Sequence, residues 1–102
     1  MTYNLDDFRR FFSADAFAAL AGVQIDSVSD ERVVCSMEIA PKHRNALGGV
    51  QGGAVFTLAD SAFAVHSNLS LIEDGGAPPT VGQSCAVSYL RPSRGTVLYA
   101  ES

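Results

Sequence analysis

The spacing of apolar residues changes several times along the chain, and each change marks an element. Phe8, Phe11 and Phe12 form one face of a short helix that Asn4 can cap, with Asp6 and Asp7 in its first turn. Ser13 or Asp15 opens a second short helix through Phe17 and Leu20, which Gly22 stops. Neither helix carries obvious chemistry, and their apolar side chains are placed to cover one end of the core or the mouth of a pocket. The period then falls to two. Residues 23–28 and 32–40 read as strands joined by the polar turn Ser29-Asp30-Glu31, and Pro41 ends the second.

A helical period returns over residues 52–72. It places Thr57, Asp60, Ser61, Ala64 and Asn68 on one stripe and Val55, Leu58, Ala59, Ala62, Val65 and Leu69 on the other side. Residues 73–79 read as a plain loop, residues 80–90 alternate as a strand ending at Pro92, and a turn at Ser93-Arg94-Gly95 leads into a last strand over residues 95–101. Strands, one long helix and further strands that wrap it predict an α+β domain, with residues 1–102 as a single unit.

Composition narrows the function. With 47% hydrophobic and 18% charged residues the chain reads as globular, and a net charge of −4 disfavours nucleic acid and anionic membrane surfaces as partners. The apolar stretch around the long helix is interrupted by Asp60, Ser61, His66, Ser67 and Asn68, which argues against a membrane span. No basic and apolar leader precedes Asp6 and Asp7, and two isolated cysteines make no disulfide framework; a cytoplasmic setting fits both. Cys35 and Cys85 fall in phase with apolar strand residues and read as packed side chains. His43 in the basic run Lys42-His43-Arg44 is expected to be exposed, and His66 to pack on the apolar side of the helix. The histidines and cysteines lack metal-ligand spacing, and no Gly-x-Ser-x-Gly elbow is present.

The most informative stretch runs from Asn45 to Ala64, a glycine-rich turn passing straight into an apolar helix with one carboxylate. A helix N-terminus presents free backbone N–H groups where the macrodipole favours negative charge. Asp60, eight residues beyond Gly52, lies about 12 Å further along the axis at 1.5 Å per residue. The pattern alone supplies one anion-stabilising site and one carboxylate, although the polar stripe could equally be a solvated face.

Asn45, Gly48, Gln51-Gly52-Gly53 and Leu58-Ala59-Asp60, flanked by Ala62-Phe63-Ala64 and Tyr89-Leu90-Arg91-Pro92, resemble the hotdog-fold acyl-CoA thioesterases of the PaaI-like family. That resemblance implies a curved antiparallel sheet around a central helix, pairing as a homodimer or homotetramer with the active site at the subunit interface. It implies an acyl-CoA thioester as substrate, aryl-acetyl or medium-chain, and no cofactor, coenzyme A being part of the substrate. Asp60 then falls at the catalytic carboxylate, as general base or nucleophile. Gly52 supplies the oxyanion N–H, and Asn45 positions the carbonyl or the water, its alternative being an Asx-turn residue. Gln51, Gly53 and Ser84 belong to the substrate site, Ser84 being favoured over Thr80 and Gln83 as the hydroxyl near the water. Arg91 and Arg94, with Lys42 and Arg44, are candidates for the coenzyme A phosphates.

Two departures stand out. Gln51 replaces the family's usual histidine, and family members continue beyond Ser102 with strands that lie centrally in the sheet, so an unpaired edge is expected beside residues 95–101. A non-catalytic acyl-CoA binder and a hotdog hydratase or dehydratase are the rival readings, the latter disfavoured because such enzymes use a histidine where Gln51 stands.

Overall fold

The computed structural model describes residues 2–74 and 78–102, so part of the loop expected over residues 73–79 lies outside the described residues. Two short helices open the chain, α1 (Leu5–Phe12) and α2 (Ala16–Ala21). The Asn4 side chain accepts the Asp6 and Asp7 N–H groups, and Asp15 accepts that of Ala18. Gly22 closes α2 at φ +85°, a left-handed conformation that a Cβ disfavours.

Strands β1 (Val23–Val28) and β2 (Val33–Glu38) form an antiparallel hairpin, and β3 (Val97–Glu101) pairs with the other side of β2, giving the order β1-β2-β3. Register runs from Val23 opposite Met37 to Val28 opposite Val33, with a bulge between Ile25 and Ser27. On the far side, Cys35 faces Ala100 and Met37 faces Leu98. β2 therefore lies in the middle, and its alternate residues Val33, Cys35 and Met37 are fully buried. They meet Leu58, Ala62 and Val65 of α3 (Gly52–Ser67), while Ile25 and Phe8 complete the core. The ring of Phe8 stands edge-on to Tyr3 with centroids 5.7 Å apart.

Two expectations about the elements need correction. The long helix does not reach residue 72 unbroken: α3 ends at Ser67, Asn68 leaves helical geometry at φ −123° and ψ 27°, and α4 (Leu69–Asp74) starts afresh. Residues 80–90 form no strand, because a strand is held by its neighbours' hydrogen bonds and none flanks this segment among the described residues. The segment is exposed along its length, with Val81 91% and Leu90 90% accessible. The far edge of β3 is unpaired among the described residues.

His43 is also buried rather than exposed, at 4% accessibility. It lies in a 3-10 turn (Pro41–His43), where its Nδ1 accepts the Ala40 N–H at 2.9 Å and its Nε2 lies 2.6 Å from the Ala21 carbonyl. This arrangement requires the proton on Nε2, and it ties the end of β2 to the end of α2. His66 is bonded at both ring nitrogens, to Ser102 Oγ at 3.0 Å and to the Asp30 carbonyl at 2.9 Å. The Tyr3 hydroxyl donates to the Asp30 carboxylate and holds its carboxyl below the usual range.

The two thiols sit in opposite surroundings, Cys35 buried in β2 and Cys85 exposed. Burial, reinforced by the charge of Asp26, pushes the Cys35 thiol up to about 11. At about pH 8 an aromatic disulfide reagent is therefore expected to titrate only Cys85 in the native protein, with Cys35 reacting after denaturant is added. Two rapid equivalents without denaturant would contradict this packing of Cys35.

Candidate active site

The loop before α3 is a tight turn built around Asn45. Its Oδ1 accepts the N–H groups of Leu47 at 2.9 Å and Gly49 at 3.1 Å, and its own N–H donates to the Gly49 carbonyl at 2.7 Å. Gly48 holds φ +86°, which suits glycine at the tip. An isolated bridge between Arg44 and Val50, with the Gln51 N–H donating to the His43 carbonyl at 2.8 Å, then delivers the chain to the helix. The Asn45 carbonyl oxygen is thus committed to the turn, whereas its amide Nδ2 has no hydrogen-bond partner among the described residues.

Gln51 is the N-cap of α3, and its Oε1 accepts the Gly53 N–H at 2.9 Å. A Cβ on Gly53 would come within 2.6 Å of that oxygen, so the glycine leaves room for the cap. The Gly52 N–H, one position earlier, makes no hydrogen bond among the described residues. Tyr89 lies over it: its hydroxyl donates to the Gly52 carbonyl at 3.1 Å, and a Cβ on Gly52 would meet the ring at 3.2 Å. Capping has therefore satisfied one early amide of the helix and left its neighbour without a partner among the described residues.

Asp60 is exposed on the outer face of α3 and opens on a cleft of about 390 Å³ together with Phe63, Ser67, Asn68, Thr80 and Val81. Ser84 does not line this cleft; Thr80 stands there instead, its Oγ1 donating to the Ser67 carbonyl at 3.2 Å. A second, mainly apolar cavity of about 340 Å³ lies between α1, α2, β1 and α3, walled by Phe12, Ala18, Val23, Ile25, Ser61 and Val65. Ala64 borders both spaces. The N-terminal helices thus do line a pocket.

Arg91 and Arg94 are exposed and make no ion pair among the described residues. Arg44 and Lys42 are used locally instead, donating to the carbonyls of Gly48 at 3.0 Å and Leu20 at 2.6 Å. Among the described residues no cluster of three His, Cys, Asp or Glu side chains could hold a metal ion, and no helix is long and apolar enough to cross a membrane. Sequence reasoning gave no role to Tyr89 or Asn68, although Tyr89 stands in the aromatic-Leu-Arg-Pro run that carries part of the resemblance.

Comparison with known proteins places this geometry in a family. The family model described as "Domain of unknown function (DUF4442)" matches residues 7–101. The phenylacetic acid degradation protein PaaI of Thermus thermophilus, solved as a point mutant, superimposes with a TM-score of 0.71 at 30% identity, over 85% of this chain and 70% of that one. The chain belongs to the DUF4442 family and is a PaaI-like hotdog protein.

Two more relatives bear on the hotdog assignment. Escherichia coli PaaI, named an acyl-coenzyme A thioesterase, is 32% identical over 81 residues, 79% of this chain and 54% of that protein. Its solved structure covers 94% of this PaaI-like chain and 66% of its own, with a TM-score of 0.78 at 27% identity. Mouse acyl-coenzyme A thioesterase 13 is 29% identical over 96 residues, 92% of this chain and 66% of that protein. The chain thus spans between half and two thirds of the length of these curated relatives.

Proposed function

We propose that this protein hydrolyses acyl-CoA thioesters, releasing a carboxylic acid and coenzyme A. The observation that carries the reading is the Gly52 N–H at the start of α3, without a partner among the described residues and on the same helix as the exposed carboxylate of Asp60. The names of the E. coli and mouse relatives support it. Negative charge develops on the carbonyl oxygen as the thioester is attacked, and one fixed donor there is typically worth about 10²–10³ in rate. Gly52 would be that donor, and Asp60 would activate water or attack the carbonyl itself. The free amide of Asn45 is available to orient either reactant.

One chain does not bring these groups together. About 12 Å of helix separates Gly52 from Asp60, whereas a single carbonyl has to lie about 3 Å from each. Two copies of α3 packed antiparallel about a two-fold axis near Phe56 would set Gly52 of one beside Asp60 of the other, so the reading places the active site at a subunit interface. The apolar cavity that shares Ala64 with the Asp60 cleft is a suitable size for an aryl-acetyl or medium-chain acyl group.

Gln51 favours one rival, a non-catalytic acyl-CoA binder, because its side chain is engaged in capping where the family has a histidine. A panel of aryl-acetyl and straight-chain acyl-CoA thioesters, assayed with a thiol-detecting dye, separates the two. Turnover at about 1 s⁻¹ or faster on at least one is expected, within the ordinary range for enzymes. Saturable binding across the panel without thiol release would establish the binder instead.

A further inference from the structure

Helix α3 ends at Ser67, and the last four carbonyls of any helix lack partners within it. Asn68 and Thr80 take up three of them. The Asn68 N–H donates to the Val65 carbonyl at 3.1 Å, its Nδ2 to that of Ala64 at 2.8 Å, and Thr80 Oγ1 to that of Ser67 at 3.2 Å. The remaining polar atom of the Asn68 side chain, Oδ1, accepts the backbone N–H of Thr80 at 2.8 Å. Asn68 is only 9% exposed, so both ends of a buried amide are satisfied by protein.

Finishing the helix would require only the first two of these bonds. The bond from Oδ1 does something else: it anchors a segment twelve residues further along the chain. Thr80, Val81 and Gly82 form one wall of the cleft that holds Asp60. Among the described residues, the bonds of Thr80 at one end and of Tyr89 at the other are the only hydrogen bonds tying residues 80–89 to the rest of the molecule.

We propose that Asn68 is a positioning residue: by holding the Thr80 N–H it fixes the wall opposite Asp60 and so sets how tightly a thioester is bound in that cleft. This rests on the thioesterase reading above. Asn68→Ala removes the acceptor of the key bond and Thr80→Pro removes its donor. The second change lies on an exposed segment outside the core, so it tests the bond even where the first perturbs the helix end.

Each variant is expected to raise KM for an acyl-CoA substrate, and Kd for its non-hydrolysable thioether analogue, by about five- to tenfold, the worth of one hydrogen bond. kcat should stay within about twofold, and the losses in the double variant should be clearly less than additive, because the two changes share the Asn68–Thr80 bond while each also removes one bond of its own, Asn68 Nδ2 to Ala64 or Thr80 Oγ1 to Ser67. In Asn68→Ala, amide exchange at Thr80 should quicken about tenfold or more while the amides of Leu58 and Val65 keep their protection. Unchanged exchange at Thr80 in Asn68→Ala would show that no clamp exists, and faster exchange with KM and Kd unmoved would reduce Asn68 to a structural cap. Additive losses in the double variant would also overturn the proposal, as would a wild type that fails to bind the thioether. A wild type that binds the thioether but releases no thiol would overturn the hydrolase reading alone, and the Kd comparison would still decide the role of Asn68.

Discussion

Replacing Asp60 with asparagine is expected to lower kcat by at least about 10²-fold while KM stays within a few-fold of its starting value. Asparagine has nearly the same shape as aspartate and retains a carbonyl oxygen to accept hydrogen bonds. It lacks the negative oxygen that takes a proton from water or attacks a thioester. The side chain is exposed and makes no hydrogen bond or ion pair among the described residues, so the exchange breaks no internal contact and the melting temperature should hold. Steady-state kinetics with a thiol-detecting dye, beside a thermal melt, check both halves of the statement. Full turnover in the asparagine protein would remove Asp60 from the chemistry.

What the sequence disclosed about this molecule is mostly what short-range physics controls. Asn4, Asp15 and Gly22 occupy helix ends because a side-chain oxygen, or a glycine at positive φ, satisfies groups within a few residues. Alternation over residues 33–37 marked the buried face of β2 for the same reason, since side chains in a strand point to opposite sides. Residues 80–90 alternate too, yet alternation says only which face would be apolar. The strand itself depends on neighbours that this segment lacks among the described residues.

Longer-range bonds were equally hidden. His43 stands between two basic residues, a context that reads as solvent-facing, but its ring reaches the Ala21 carbonyl, 22 positions away. Asn68 interrupts a run whose apolar spacing continues to Ile72 because its side chain competes for the Ala64 carbonyl and binds Thr80. At the candidate site, the turn around Asn45 and the free amide of Gly52 follow from local sequence. The arrival of Thr80 rather than Ser84 beside Asp60 follows from how the segment after α4 folds back, which no local pattern encodes.

Gly52→Pro is expected to cost about 10²–10³ in kcat, the worth of one oxyanion donor. Proline is tolerated at the first position of a helix, where its fixed φ suits the geometry and the missing N–H has no intrahelical partner to lose. Its ring will press on Tyr89, whose contact with Gly52 is through the far end of a side chain that can move. The decisive measurement mixes this variant with Asp60→Asn. If each site draws Gly52 from one copy and Asp60 from another, a hybrid dimer has one intact site and one doubly defective site. Random association of equal amounts makes half the dimers hybrid, so turnover should return to about a quarter of the wild-type value after the two proteins are unfolded and refolded together. Two sites each contained within one chain would recover nothing on mixing. That outcome would require a fold-back able to close the 12 Å or so between the two groups on a rigid helix, and would end the interface reading.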